Sequence, residues 1–229
     1  MLEIPIKKQP DETTCGPTCL HAVYQFYSDS IDLNRVIDEV HHLEGGGTLG
    51  ALLAVHALKR GYNATIYSYN LQVFDPTWFG ETSDFMIDRI QKQLEFKKDK
   101  KLQAAVNAYT LFLQHGGHLK FEDLRSSVIT KYLKKEQPII VGLSATYLYQ
   151  SAREFGPNMD YDDLRGEPAG HFVLLHGYDS ETRDVFIADP IIINPFEDGQ
   201  LYKMNIDRVM NAILLGIVTY DANLIIITP

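Results

Sequence analysis

Apolar positions recur at helical spacing from the start of the chain. In CGPTCLHAVYQFY, Leu20, Val23, Phe26 and Tyr27 fall on one side of a 3.6-residue turn and predict a helix that begins at Cys15. Thr13 and Thr14 stand just upstream as cap residues, and Pro17 suits a first helical turn. Residues 31–42, IDLNRVIDEVHH, predict a second helix with Ile31, Val36, Ile37 and Val40 turned inward. Gly45, Gly47 and Gly50 then match G-x-G-x-x-G literally. That fingerprint requires a strand before it and an acidic residue about 20 positions later. Here a helix precedes it and the following strand, Tyr62 to Tyr69, runs into Asn70, so the glycines read as a loop feeding a helix.

Residues 71–135 are helical in pattern and rich in charge, with a break at Gly116-Gly117. Ser83 or Asp84 is placed to cap the first helix there, and KKDKK (97–101) reads as a solvated face. From Pro138 the pattern changes to β-branched runs bounded by Gly, Asp and Pro: PIIVGLS, GHFVLLHGYD, DVFIADP and LLGIVTYDANLIIITP. These predict a mostly antiparallel sheet. Helices first and strands last make the class α+β, in one domain over 1–229.

Composition narrows the partners. Lys and Arg number 21 against 30 Asp and Glu, and the net charge of -9 argues against nucleic acid or anionic lipid. No apolar run approaches the roughly 20 residues that span a bilayer. MLEIPIKKQP has no apolar signal core, so the expected location is cytoplasmic. The two cysteines, Cys15 and Cys19, lie one helical turn apart, where a disulfide is disfavoured. Free thiols in a reducing compartment follow, and neither a C-x-x-C redox motif nor a second pair for zinc is present.

A thiol is a poor helix cap, yet the positive end of a helix stabilises a thiolate. Alone, a buried cysteine packs as a small apolar residue as readily as it reacts. Partners come late in the chain. His171 opens the strand GHFVLLHGYD, after a glycine that leaves room for a ligand. Asp189 ends DVFIADP, and a hairpin through DSETRD would bring it beside His171 to orient the imidazole. Gln9 can offer an amide N–H to an oxyanion at the sulfur, with the Cys15 backbone N–H as the second donor.

Gln9, Cys15-Gly16-Pro17, His171 and Asp189-Pro190, in that order, resemble the C39-type cysteine peptidases of the papain-like fold. That group includes domains that cut double-glycine leader peptides and stand-alone relatives. Its pattern is Q-x5-C-G near the N-terminus, a His at a strand start, and D-P some 16 to 18 residues later. The resemblance covers 9–70 and 137–190 and implies a papain-like fold in which 71–135 is a helical insertion or subdomain. It implies Cys15 as nucleophile, His171 as general base and acid, Asp189 as orienter and Gln9 in the oxyanion hole. The leader-cutting enzymes often carry Asp before the cysteine, where this chain has Thr14.

The expected activity is therefore that of a cysteine peptidase or amide hydrolase working through a thioester on a peptide or peptide-like substrate, with no metal or organic cofactor. The alternatives are a transpeptidase or isopeptidase on a small thiol peptide, and a non-catalytic scaffold that keeps the fold. The sequence carries no signal for oligomeric state. Cys19 and His176 read as core packing, and His41, His42, His115 and His118 as surface or cap residues rather than metal ligands. Asp179 reads as a turn residue, more than about 20 Å from His171 along an unbroken strand. The connection 144–170 is long enough for a lid or for a short surface helix. As a lid it would turn Tyr147, Tyr149, Tyr161, Asp160, Asp162, Asp163 and Glu167 toward the cleft entrance.

Overall fold

The least polar stretches of the chain become the middle of a sheet. The computed structural model describes residues 1–43, 46–196 and 199–229. In it β1 (Asn63–Ser68) and β2 (His118–Lys120) precede β3 (Ile139–Ser144). After two short strands, β4 (Glu154–Phe155) and β5 (Asp160–Tyr161), come β6 (Gly170–Asp179), β7 (Asp184–Ala188), β8 (Leu201–Asn205) and β9 (Asn223–Thr228). Seven of these form one sheet in the order β2-β1-β9-β3-β6-β7-β8, while β4 and β5 pair as a separate hairpin. Only β1 and β2 run parallel; the other neighbours are antiparallel.

Helices cover both faces. On one side lie α1 (Cys15–Phe26), α3 (Gly50–Lys59) and α5 (Lys100–Gln114), with α2 (Leu33–Glu39) against α1 and α4 (Ser83–Lys92) against α5. On the other lie α6 (Ser126–Leu133) and α8 (Ile206–Leu215), while α7 (Ala145–Tyr149) follows directly on β3. Strand alternation divides the core accordingly. Ile140, Phe172, Leu174, Ile225 and Ile227 pack with Leu20, Leu53 and Phe112. Their neighbours Val141, Val173, Leu175, Leu224 and Ile226 pack with Ile129, Val209 and Ile213. Burial on both faces is why β3 and β9 read as unbroken apolar runs.

The α+β class and the mostly antiparallel sheet stand as expected, with three corrections. The predicted helix 31–42 is only α2, Leu33–Glu39, because Asp32 caps it by accepting from the Asn34 N–H. The stretch 214–229, expected as one strand, is the end of α8, a 3-10 turn (Gly216–Thr219) and then β9. Helices and strands also interleave more than expected, with β1 and β2 early and α8 late. The apolar stripe predicted for α1 is a helix buried from Gly16 to Tyr24, because the sheet, α2 and α3 enclose it.

Residues 71–135 hold α4, α5, the edge strand β2 and α6. Thr82, rather than Ser83 or Asp84, caps α4, and Asp99 within KKDKK caps α5 by accepting from the Leu102 N–H at 2.7 Å. Of the glycine triplet, Gly45 lies outside the described residues. Gly50 starts α3, where a methyl group would lie 2.8 Å from Ile225 Cδ1, so its role is the close approach of α3 to β9.

Candidate active site

Cys15 is the first residue of α1 and is half-buried. The loop before it is held by hydrogen bonds of its own: Thr14 Oγ1 donates to the Asp11 carbonyl, and Asp11 Oδ1 accepts from the Thr13 N–H. Thr14 makes no side-chain bond to the helix, so it is no cap in the usual sense. The backbone N–H groups of the first turn have no intrahelical partner. Gly16 lets that turn press on β6, since a methyl group there would meet Thr48, Leu53 and Phe172 at 3.0–3.2 Å. Cys19, one turn on, is fully buried and donates its S–H to the Phe172 carbonyl at 3.4 Å. Burial pushes its thiol well above the ordinary range, helped by the charges of Cys15 and Asp189.

His171 is the second residue of β6, and Asp189 follows the last residue of β7. Leu174 pairs with Ala188 in this hairpin, which sets Asp189 diagonally across from His171. His171 Nε2 donates to Asp189 Oδ1 at 2.8 Å. That bond leaves Nδ1 as the ring nitrogen open to exchange, and the charge of Cys15 acts on the ring alongside that of Asp189. Burial would lower the imidazole's proton affinity. Asp189 and Cys15 outweigh it, and His171 holds its proton well above the ordinary histidine range.

Asp189 is fully buried and fully satisfied. Its Oδ1 also accepts from the Ile191 N–H at 3.0 Å, while Oδ2 accepts from the hydroxyls of Tyr149 and Tyr202, each at 2.8 Å. Burial raises its proton affinity, but His171 and these donors hold the carboxyl below its usual range. Burial, with Asp189 beside them, pushes both phenols far up, so they remain donors. Replacing either tyrosine with phenylalanine removes one bond to a buried carboxylate, worth roughly 1.5–3 kcal/mol. Urea unfolding should show that loss for each variant, and a smaller loss for the exposed Tyr161→Phe.

Gln9 reaches the site from the N-terminal segment. Its backbone N–H donates to the Pro190 carbonyl at 2.7 Å, which ties it to the Asp189-Pro190 corner. Its side chain is buried, with Nε2 donating to the Asp11 carbonyl at 2.9 Å and Oε1 lacking a protein partner. One amide hydrogen of Nε2 thus stays free.

The remaining candidates divide. His176 packs in the core, its Nδ1 against the Leu2 carbonyl. His42 and His115 bond backbone carbonyls of Ile37 and Leu111. Asp179 accepts from the Glu181 N–H in the β6–β7 turn. Of the two forms expected for the 144–170 connection, the short helix is present as α7, and the unforeseen β4–β5 hairpin follows it. Tyr147 and Tyr161 are exposed, whereas Tyr149 turns inward to Asp189. Asp162 spends its carboxylate on Leu164, Arg165 and the local turn. Tyr202 had no chemical signal in the sequence beyond the alternation of its strand, LYKMN.

Comparison with known proteins gives the family and the fold. The family model described as the Peptidase_C39 like family matches residues 1–209. A solved structure from Bacillus anthracis, titled a "putative C39-like peptidase", is similar with a TM-score of 0.51 at 15% identity, covering 100% of this chain and 96% of its own. A double glycine motif protease from an AMS/PCAT transporter, solved with a leader peptide, gives a TM-score of 0.48 at 14% identity, covering 100% and 93%. The peptidase domain of Streptococcus ComA, a bifunctional ABC transporter, gives 0.45 at 13%, covering 100% and 99%. No curated protein matches the sequence. With a family match across most of its length and the papain-like arrangement of helices on a mostly antiparallel sheet, this chain belongs to the Peptidase_C39 like family.

Proposed function

We propose that the protein is a cysteine peptidase or amide hydrolase acting on a peptide or peptide-like substrate. The observation that carries this is the 2.8 Å bond from His171 to the buried, four-fold bonded Asp189, with the charge of Cys15 acting on the same imidazole. The Cys15 thiolate attacks the amide carbonyl carbon, and the carbonyl electron pair moves to oxygen. The oxyanion is met by the Cys15 N–H and the free Gln9 amide hydrogen. His171 Nδ1 gives its proton to the leaving amine as the C–N bond breaks, which leaves a thioester. Water then attacks; Nδ1 takes its proton, the C–S bond breaks, and the acid leaves. Asp189 keeps Nε2 occupied throughout, so Nδ1 is the nitrogen that exchanges protons. Cytoplasmic placement accords with free Cys15 and Cys19.

Iodoacetamide labelling of the native protein with peptide mapping tests the nucleophile. Cys15 should label to near stoichiometry and Cys19 should be spared, because Cys19 is buried and bonded to Phe172. Faster reaction at Cys19 would sink the assignment. A peptide library should then yield a substrate whose turnover is absent in Cys15→Ala. A scaffold would show no turnover and no dependence of labelling on His171.

A further inference from the structure

A second buried acid lies against Gly170, the residue before His171, and has no place in the chemistry above. Asp221 is 6% exposed and sits in the turn between the 3-10 segment and β9. Gly170 makes room for it, since a methyl group there would collide with Asp221 Oδ2 and lie 2.7 Å from Thr219 Oγ1. Gly142 does the same from β3, where a methyl group would lie 2.9 Å from Asp221 Cβ. Thr219 Oγ1 donates to Oδ2 at 2.9 Å, and Asn223 Nδ2 donates to the Asp221 carbonyl.

The turn is strained to reach this position. Tyr220 and Ala222, on either side of Asp221, take φ of +68° and +26°. Side chains other than glycine's rarely adopt such values, and strain of this kind gathers at functional sites. Among the bonds that hold the turn are those from the Asp221 N–H to the Gly216 carbonyl, the Tyr220 N–H to the Ile217 carbonyl, the Tyr69 N–H to the Ala222 carbonyl, and the Tyr220 hydroxyl to Asp99. A merely structural turn would be served better by an asparagine or glycine than by an acid sealed under a glycine.

We propose that Asp221 is a positioning residue of this active site, a second acid whose charge behind Gly170 keeps His171 protonated on the alkaline side of neutrality. It makes no hydrogen bond to the ring and would act on it through space, across the Gly170 backbone. Burial pushes its carboxyl up to about 7, opposed by Thr219 and by the charge of His171. It is therefore neutral in acid and gains its charge where His171 would begin to lose its proton. The other titratable group facing Asp221 is Tyr109 of α5, a neutral phenol pushed up to about 12 by burial. Those acting on His171 are Asp189, Cys15 and Glu154, with the Tyr149 ring 6.1 Å away.

This inference rests on the Cys15–His171 reading, and one titration separates the two. The imidazole of His171, assigned by its absence in His171→Ala, is followed by nitrogen NMR against pH in the full chain and in Asp221→Asn. The wild-type transition should lie well above that of a free histidine. Asp221→Asn should lower it by about 0.5–1 pH unit, a roughly three- to tenfold loss of proton affinity. An ordinary wild-type transition overturns the catalytic reading itself. A raised wild-type transition left unmoved by Asp221→Asn overturns the role of Asp221 alone.

Stability gives an independent readout. A carboxyl raised in the fold adds stability that is present below its unfolded value and lost as pH rises through about 7. Asp221→Asn should therefore melt higher than wild type at pH 8, with little gain at pH 5. If Asp221→Asn does not fold, Thr219→Val decides. It removes the donor that favours the charged carboxylate, so His171 should shift the same way by less, and no shift would overturn the proposal.

Discussion

Replacing His171 with alanine should slow acylation at Cys15 by roughly 10²- to 10⁴-fold, the range lost with a general acid-base group. The chain should stay folded, because Asp189 keeps its bonds from Ile191, Tyr149 and Tyr202. Where no substrate is in hand, the rate of Cys15 alkylation at pH 6 stands in for turnover. It should fall at least about tenfold in His171→Ala, since no imidazolium then faces the sulfur. Equal rates in the two proteins would refute the relay. Asp189 should show a graded series. Asparagine can keep its oxygen toward His171 and Ile191 and turn its amide toward the two tyrosine oxygens, so Asp189→Asn should fold and lose mainly the charge. Asp189→Ala leaves buried donors unpaired at about 1–3 kcal/mol each and should lose both rate and stability. Asp179→Asn, at the far turn, should change turnover little.

The same pair governs stability against pH. Asp189, lowered in the fold, contributes stability above the unfolded carboxyl value that is lost only as pH falls through its lower folded value. His171, raised in the fold, contributes stability present in full below its unfolded value near 6.5 and lost as pH rises through its folded value. Melting temperatures of wild type and His171→Ala should diverge most below neutrality and converge in alkali.

Replacing residues 71–135 by a short linker should abolish cooperative unfolding altogether. We propose that this segment is part of the core, although its charge suggests a separable insertion. Val106, Tyr109 and Phe112 of α5 are buried in one cluster with Leu20 of α1 and Leu53 of α3. Ile129 of α6 fills the opposite face beneath Val141 and Val173. Losing such side chains costs about 2–5 kcal/mol each, and several together exceed the 5–15 kcal/mol that holds an ordinary domain. Circular dichroism and a thermal melt would decide, and a native-like melt of the shortened chain would restore the separable subdomain.

On that proposal, charge misleads for a physical reason. The cations and acids of α4 and α5 lie on solvent faces, whereas Leu102, Ala105, Val106, Tyr109 and Phe112 form the buried stripe beneath them. Composition averages over both faces of a helix; periodicity distinguishes them. The run LLGIVTYDANLIIITP misled differently, because a short apolar stretch has no period of its own. Gly216 and the Tyr220 to Ala222 turn, with its positive φ at Tyr220 and Ala222, divide it.

As candidates, Cys15, His171 and Asp189 were legible because they stand at a helix start, a strand start and just past a strand end before proline, and Gln9 because it lies six residues before Cys15. Family spacing then linked them. Tyr149 was named only as a lid residue, and Tyr202 and Asp221 were not singled out. Each is an ordinary residue in its own segment, and its importance comes from a carboxylate or an imidazole brought alongside by other strands. Sequence by itself determined the fold class and the mostly antiparallel sheet, and it nominated the nucleophile, since these follow from periodicity and residue type. Which groups surround the imidazole, and hence where its proton is held, was decided only by the tertiary structure, because charges and hydrogen bonds act through space between segments far apart in the chain.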